Sequence, residues 1–218
     1  FRIGCRPDNT ELFNGQISDV RIYNTALTID QVNELYQERS SVYNFEEKTN
    51  LKLHLPLNHS LKDISGNGHN GSFFGSNPSY VENYKGDLNG ALSFDGTDDY
   101  VEVPYSSTFN NFTDALSFSA WINIQGGAGN YRTIMENGNT EGFALMVGTG
   151  GDIYANVQNG SGWSSVYSGQ AESLNTWHHV VVTFGSNTLS IYINGELRSN
   201  TTVSGNVVNN DDVLWIGR

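Results

Sequence analysis

One residue of 218, Cys5, is a cysteine, so no disulfide can close within the chain and cysteine usage leaves the redox compartment open. Cys5 itself reads as a small buried or half-buried residue rather than a reactive thiol. Positive charge is also scarce: 11 Lys and Arg stand against 23 Asp and Glu, giving a formal charge of −12 and a pI near 4.6. That balance argues against a surface that tracks nucleic-acid phosphates, and it suits a domain in a salty medium or one that gathers cations. No apolar run approaches the roughly 20 residues needed to span a bilayer, and no signal-peptide pattern is visible. Nucleic-acid binding and membrane insertion are therefore not expected.

The chain is instead aromatic and β-rich. Eleven Tyr, eleven Phe and four Trp supply a core for one large sandwich, a common single fold at this length. Short apolar runs alternate and are punctuated by Gly, Asn, Asp and Ser. In ALSFSAWINI (115–124), Leu116, Phe118, Ala120 and Ile122 share one face. HHVVVTF (178–184) and LSIYINGEL (189–197) are separated by Gly185-Ser186-Asn187-Thr188, a hairpin signal, and Asn194-Gly195 marks another tight turn. One helix is predicted over 28–37: Thr28 and Gln31 form a capping box, and Ile29, Val32, Leu35 and Tyr36 repeat at helical spacing. The fold class expected is all-β, a two-sheet antiparallel jelly-roll sandwich with one short helix. Its inward residues should include Phe94, Leu116, Phe118, Trp121 or Ile122, Val180 and Ile191.

A short strand is written at both ends of the chain. FRIGC (1–5) lines up with LWIGR (214–218), and Cys5 leads into a glycine-bearing turn, the strand ISDVRIYNTAL (17–27) and the helix. This resembles one period of a tandem array. The segments LHLPLN (53–58), DISGNGHNG (63–71), GALSFDGTDDYVEVP (90–104), LSFSAWINI (116–124), the W-H-H-V strands, the I-G-R strand and GQISDVRIYNTAL (15–27) together carry a family resemblance. The chain resembles the concanavalin A-like jelly rolls of the laminin G-like superfamily, in the branch common in large bacterial surface proteins. The departure is order, because the family's closing segment stands at the N-terminus. The expected division is 1–40 as closing strands and terminal helix, 41–50 as linker, and 51–218 as the main body. ISDVRIYN is expected to lie antiparallel beside LHLPL, in its own sandwich or a neighbour's, since leaving it in solvent would forfeit its burial. The two I-G strands cannot share one slot, so 1–5 or 214–218 should sit at an edge or in an adjoining copy.

Catalysis is the weakest expectation, and the protein is not expected to be an enzyme. Glycosidases on this sandwich place carboxylates at alternating positions of one strand, and no E-x-D-x-E run exists. Glu136 and Glu141 flank a turn and read as a solvated hairpin tip. His178 and His179 are adjacent in a strand and so face opposite ways, one packed and one exposed, which excludes joint ligation of a metal. No nucleophile elbow supports a Ser-His-Asp site.

Two binding chemistries remain. Ca²⁺ takes six to eight oxygens, and the loop DISGNGHNG offers Asp63, Ser65, Asn67 and Asn70. The resemblance places this loop beside the closing strand, so Asp19 would add a carboxylate, giving Asp63, Asn67 and Asp19 as a structural calcium site. Against it stands Asp63 as the cap of a Gly-rich turn with no metal. Asp95 and Asp99 read as turn-forming. For sugars, GDIYANVQ (151–158) turns Ile153, Ala155 and Val157 inward and Tyr154, Asn156 and Gln158 outward. WSSVYSG (163–169) sets Trp163, Ser165 and Tyr167 on one face. Paired, these strands make an aromatic platform edged by amides, with Tyr154, Asn156, Trp163 and Tyr167 as ligand-binding residues. An ordinary solvated sheet face, with Trp163 in the core, is the bland alternative. The function expected is a non-catalytic extracellular adhesion or carbohydrate-binding repeat of a secreted or cell-surface protein, its partners glycans, cell-surface polymers and neighbouring copies. The alternatives are a structural repeat or strand-exchanged filament subunit, and a fragment of a glycan-active enzyme.

Overall fold

The computed structural model describes residues 11–37, 49–76, 78–110, 112, 114–126, 131–138, 141–208 and 213–217. The strand expected at 1–5 and most of the 41–50 linker lie outside them. Sequence alternation becomes two antiparallel sheets packed face to face. The larger sheet holds β1 (Asn14–Tyr23), β2 (Leu51–Leu55), β4 (Ser79–Val81), β5 (Ala91–Asp95), β7 (Ala115–Ile124), β12 (Trp177–Gly185), β13 (Thr188–Ile193) and β14 (Glu196–Thr202). Its order is β14-β13-β12-β7-β1-β5-β4, with β2 also on β1. The second sheet holds β3 (Ser72–Phe74), β6 (Tyr100–Val103), β8 (Arg132–Asn137), β9 (Phe143–Val147), β10 (Asp152–Gln158), β11 (Trp163–Ala171) and β15 (Leu214–Ile216). Its order is β11-β10-β9-β8-β15-β6-β3. A 3-10 turn at Ser107–Asn110 precedes β7.

Between the sheets lies one apolar core. Phe94, Leu116, Phe118, Ile122, Val180 and Ile191 all belong to it. Trp121 takes the opposite face of β7, because inward Ile122 fixes the alternation. The hairpin turns obey the residue chemistry. Ser186 and Asn187 have φ of +49° and +59°, and Asn194 and Gly195 of +54° and +82°. Two consecutive positive φ values match the right-handed twist of the flanking strands.

The displaced segment forms β1, in the interior of the larger sheet. On one side Gly15–Tyr23 pairs with β7. On the other, Asn14–Ile17 pairs with β5 and Val20–Tyr23 with β2, so LHLPL lies antiparallel beside it. The change of partner falls at Asp19, where φ is +54° and the pairing with β7 shifts register. Segments 14–37 and 49–217 thus make one sandwich. β15 sits between β8 and β6 rather than at an edge. Phe13 N–H donates to Gly217 O at 3.1 Å, which places the end of β15 against the entry to β1.

The helix α1 (Ile29–Gln37) is capped as expected: Gln31 N–H donates to Thr28 Oγ1 at 3.3 Å and Thr28 N–H to Gln31 Oε1 at 2.9 Å. It lies on the outer face of the larger sheet, where Val32 packs with Tyr23, Leu27, Leu51 and Val181. Ile29, the first member of its apolar repeat, is exposed.

Candidate functional site

On the outer face of the larger sheet, α1 and the loops bury a polar layer. Asp19 accepts from Arg21 Nη2 at 2.9 Å and meets His54 Nε2 at 2.6 Å. Burial opposes its charge, yet Arg21 and His54 hold its carboxyl well below the ordinary 3.8. Nearby, Tyr36 of α1 stacks on Trp121 and on His179, and Tyr84 covers Trp121 at 3.8 Å between ring centroids. His179 is the packed member of its pair, and burial pulls its pKa down to about 3. His178 is buried as well, correcting the expectation that one of the pair faces solvent. It belongs to a second polar group, its Nδ1 3.8 Å from Glu172 and its Nε2 3.0 Å from Ser173 O.

The 63–71 loop is a hydrogen-bonded turn. Asp63 Oδ1 accepts from the N–H groups of His54 and Ser65, and Oδ2 from His69 N–H and the Ser65 hydroxyl, all at 2.8–3.0 Å. Burial works against its charge, but these donors outweigh it and hold the pKa below 3.8. Asn67 turns its amide nitrogen inward, donating to the carbonyls of Leu51 and Lys52 and to Ser65 Oγ. Asp19 meanwhile is ion-paired with Arg21 and in hydrogen-bond contact with His54. Four donors on one carboxylate and two basic partners on the other do not make an oxygen cage, so Asp63, Asn67 and Asp19 do not fit calcium as they stand. Among the described residues, the acidic side chains that do converge are Asp95, Asp98 and Asp99. There Asp95 Oδ1 accepts from Thr97 N–H, and Asp99 Oδ2 from Asp95 N–H, as a turn requires.

The two strands of the expected aromatic platform lie side by side. β10 and β11 pair in register, with Tyr154 opposite Tyr167, Asn156 opposite Ser165 and Gln158 opposite Trp163. Ile153, Ala155, Val157 and Val166 enter the core, which turns the alternate residues to the outer face. Trp163 and Tyr167 are 40 % and 50 % exposed, so Trp163 is not a core residue. Tyr154, expected to be wet, is buried instead. Tyr167 stacks on it at 5.3 Å, Tyr131 meets it edge-on at 5.5 Å, and its hydroxyl donates to Met146 Sδ at 3.0 Å. Burial first, then Tyr131, Glu11, Tyr167 and Glu136, push its phenol above the ordinary 10.0. It is the footing of the ladder, and Tyr131 and Tyr167 are its accessible rings.

Asn156 Oδ1 is buried on this face with no hydrogen-bond partner among the described residues. Such an oxygen costs free energy until a donor reaches it. Sequence reasoning missed Tyr131, which precedes β8, and Met146 on β9. Only the cross-strand register, in which Thr133, Met146, Tyr154 and Tyr167 form one row, brings them to the platform.

Comparison with known proteins agrees with this architecture. The family model described as the concanavalin A-like lectin/glucanases superfamily matches residues 95–218, more than half of the chain. No curated protein matches. Among solved structures, the botulinum neurotoxin serotype D binding domain is similar with a TM-score of 0.56 and 22% identity, over 72% of this chain and 40% of that one. The structure of botulinum neurotoxin type C, whose cell entry depends on interaction with two ganglioside molecules, matches with a TM-score of 0.54 and 20% identity, over 71% and 39%. The botulinum neurotoxin DC binding domain in complex with rat synaptotagmin II gives 0.54 and 20%, over 71% and 40%. The chain spans about two fifths of the length of these structures. At such identities the likeness is one of fold.

Proposed function

As the chain belongs to the concanavalin A-like lectin/glucanases superfamily, we propose that it is a non-catalytic carbohydrate-binding domain that works at a cell surface or outside the cell, with the β10–β11 face as its binding surface. The observation that carries this is the placement of exposed Trp163 and Tyr167 on one face of β11, on either side of the row formed by Asn156 and Ser165. Pyranose rings present an apolar C–H face and a rim of hydroxyls. The aromatic rings meet the first by stacking, and Asn156, Gln158 and Ser165 meet the second by hydrogen bonds. Support also comes from the similar structures, which include a toxin binding domain and a toxin whose cell entry depends on interaction with ganglioside molecules. A non-enzymatic role fits a platform that sets rings and amides, rather than two opposed carboxylates, around a ligand.

The test is a glycan array with the unaltered protein, Trp163→Ala and Tyr167→Ala, each checked for native circular dichroism. Binding by the unaltered protein that both substitutions reduce at least tenfold supports the proposal. Binding unaffected by either substitution moves the site elsewhere.

A second reading, exchange of strands between copies, draws on one feature. β1 is an interior strand, and it is joined to β2 through residues 38–48, so the slot between β5, β2 and β7 suits the β1 of a neighbouring copy equally well. Linear polymers of the folded protein under the electron microscope would favour it. A monomer at all concentrations would not.

A further inference from the structure

Resting on the carbohydrate-binding reading above, we infer that the ligand of the β10–β11 face is an uncharged oligosaccharide, laid along β11 and longer than one ring. Two observations carry this. The first is where the cations are. All four lysines lie at or before Lys85, and between Tyr131 and Ala171, the stretch that builds β8 to β11, Arg132 is the one Lys, Arg or His. Arg132 is buried at 2 % exposure and donates to Gly126 O on the core side of β8. Over the same stretch stand the acids Glu136, Glu141 and Asp152. Register places Glu136 in the row of Ala144, Asn156 and Ser165, on the outer face itself.

A sialic acid or uronate seated on this ladder would lay its carboxylate against tyrosine rings with no exposed cation among the described residues of β8 to β11 to meet it. Arg198 of β14, the strand packed beside β11, already faces Glu172 at 3.9 Å. Desolvating an anion without a partner is costly, and the −12 charge of the chain adds repulsion on approach. The hydrogen-bonding groups that are present, Asn156, Gln158 and Ser165, are neutral donors and acceptors matched to hydroxyls.

The second observation is spacing. Trp163 and Tyr167 point the same way from positions four apart on one strand, which at roughly 3.3 Å per residue sets them about 13 Å apart. That exceeds one pyranose ring, so the two rings serve two sugars of one chain, with the Asn156–Ser165 row between them. A single sugar engages one ring and gains little of the platform.

The experiment is a calorimetric titration of the whole chain with neutral gluco-, manno- and galacto-tetrasaccharides, the corresponding monosaccharides, a galacturonate tetrasaccharide and a sialylated oligosaccharide. It is repeated with Trp163→Ala and with Ser165→Arg. The expected result is that at least one neutral tetrasaccharide binds tenfold or more tighter than its monosaccharide and than both acidic ligands. Trp163→Ala should bring the tetrasaccharide down toward the monosaccharide. Ser165→Arg, which puts a cation on the face, should raise galacturonate affinity several-fold. Acidic ligands that bind as tightly as neutral ones, in a manner sensitive to Trp163→Ala, would overturn the selectivity while leaving the carbohydrate site standing. No binding by any of these sugars would overturn both.

Discussion

At the scale of single residues, the polar groups of this chain are mostly structural. Asp63 draws its own loop closed, and replacing it with alanine leaves the N–H groups of His54, Ser65 and His69 unpaired. Hydrogen bonds to a charged group are worth about 1.5–3 kcal/mol each, and the loss of this hub should cost on the order of 2–4 kcal/mol after partial relaxation. Chemical denaturation of Asp63→Ala would read this as a lower midpoint. Calcium added to the chelator-treated parent should leave its melting temperature unchanged; a rise that Asp63→Ala abolishes would restore a calcium role. The buried histidine makes a second prediction. His179 has a folded pKa of about 3 against 6.5 when free, so between those values the unfolded chain binds a proton that the folded chain refuses. Stability must therefore fall as pH drops below 6.5. His69, whose pKa is also lowered by burial, acts in the same sense. Asp19, depressed below 3.8, adds its loss only under more acid conditions. Melting curves at pH 7.5 and 5 should show a drop that is smaller in His179→Asn, even though the variant is less stable at the higher pH. An equal drop in both would show that His179 is not the group responsible.

At the scale of elements, most of the strands and the helix are legible in the sequence because their signals are local. Two-residue periodicity marks β7, β10, β12 and β13, and the Thr28–Gln31 capping box marks the start of α1. Thr28→Ala should therefore cost about 1 kcal/mol in a denaturant titration. The glycine of the I-G pair at 216–217 has a physical reason in the structure. Gly217 has φ of +81°, and a β-carbon there would stand 2.2 Å from the Phe94 ring, so only glycine can succeed Ile216 in this slot. The illegible parts are those fixed by long-range contact. Tyr154 has the pattern of a wet residue, but Tyr131 and Tyr167 pack over it. Asp63 and Asp19 have the composition of cation ligands, and only the fold reveals that N–H donors, Arg21 and His54 already satisfy them. β1 is the element on which the larger sheet depends, for it hydrogen-bonds to β2, β5 and β7 and buries Ile17, Val20 and Ile22 completely. Each such side chain contributes roughly 1.5–3 kcal/mol. Deleting residues 1–27 should leave a molten or insoluble remainder, seen as lost near-ultraviolet circular dichroism. A monomeric, cooperatively folding 44–218 fragment would contradict that dependence.

At the scale of the whole molecule, the two faces of the sandwich are finished differently. The larger sheet carries α1 with Tyr36, and Tyr84, as a cover stacked over Trp121, and its polar groups are closed in beneath them. The second sheet ends at β11 with aromatic rings standing open on either side of the Asn156–Ser165 row. Exposed rings on an edge strand invite pairing with another chain unless a ligand or a charged neighbour occupies them. A sugar chain is the occupant proposed for that place, and the decisive test is a calorimetric titration of a neutral tetrasaccharide, chosen from the array, into the parent and the Trp163→Ala, Tyr167→Ala double variant. Saturable binding is expected in the parent, with at least a tenfold loss of affinity in the double variant while its melting temperature stays within a few degrees of the parent's. Equal affinity in the two proteins, both folded, would contradict a sugar site on this face.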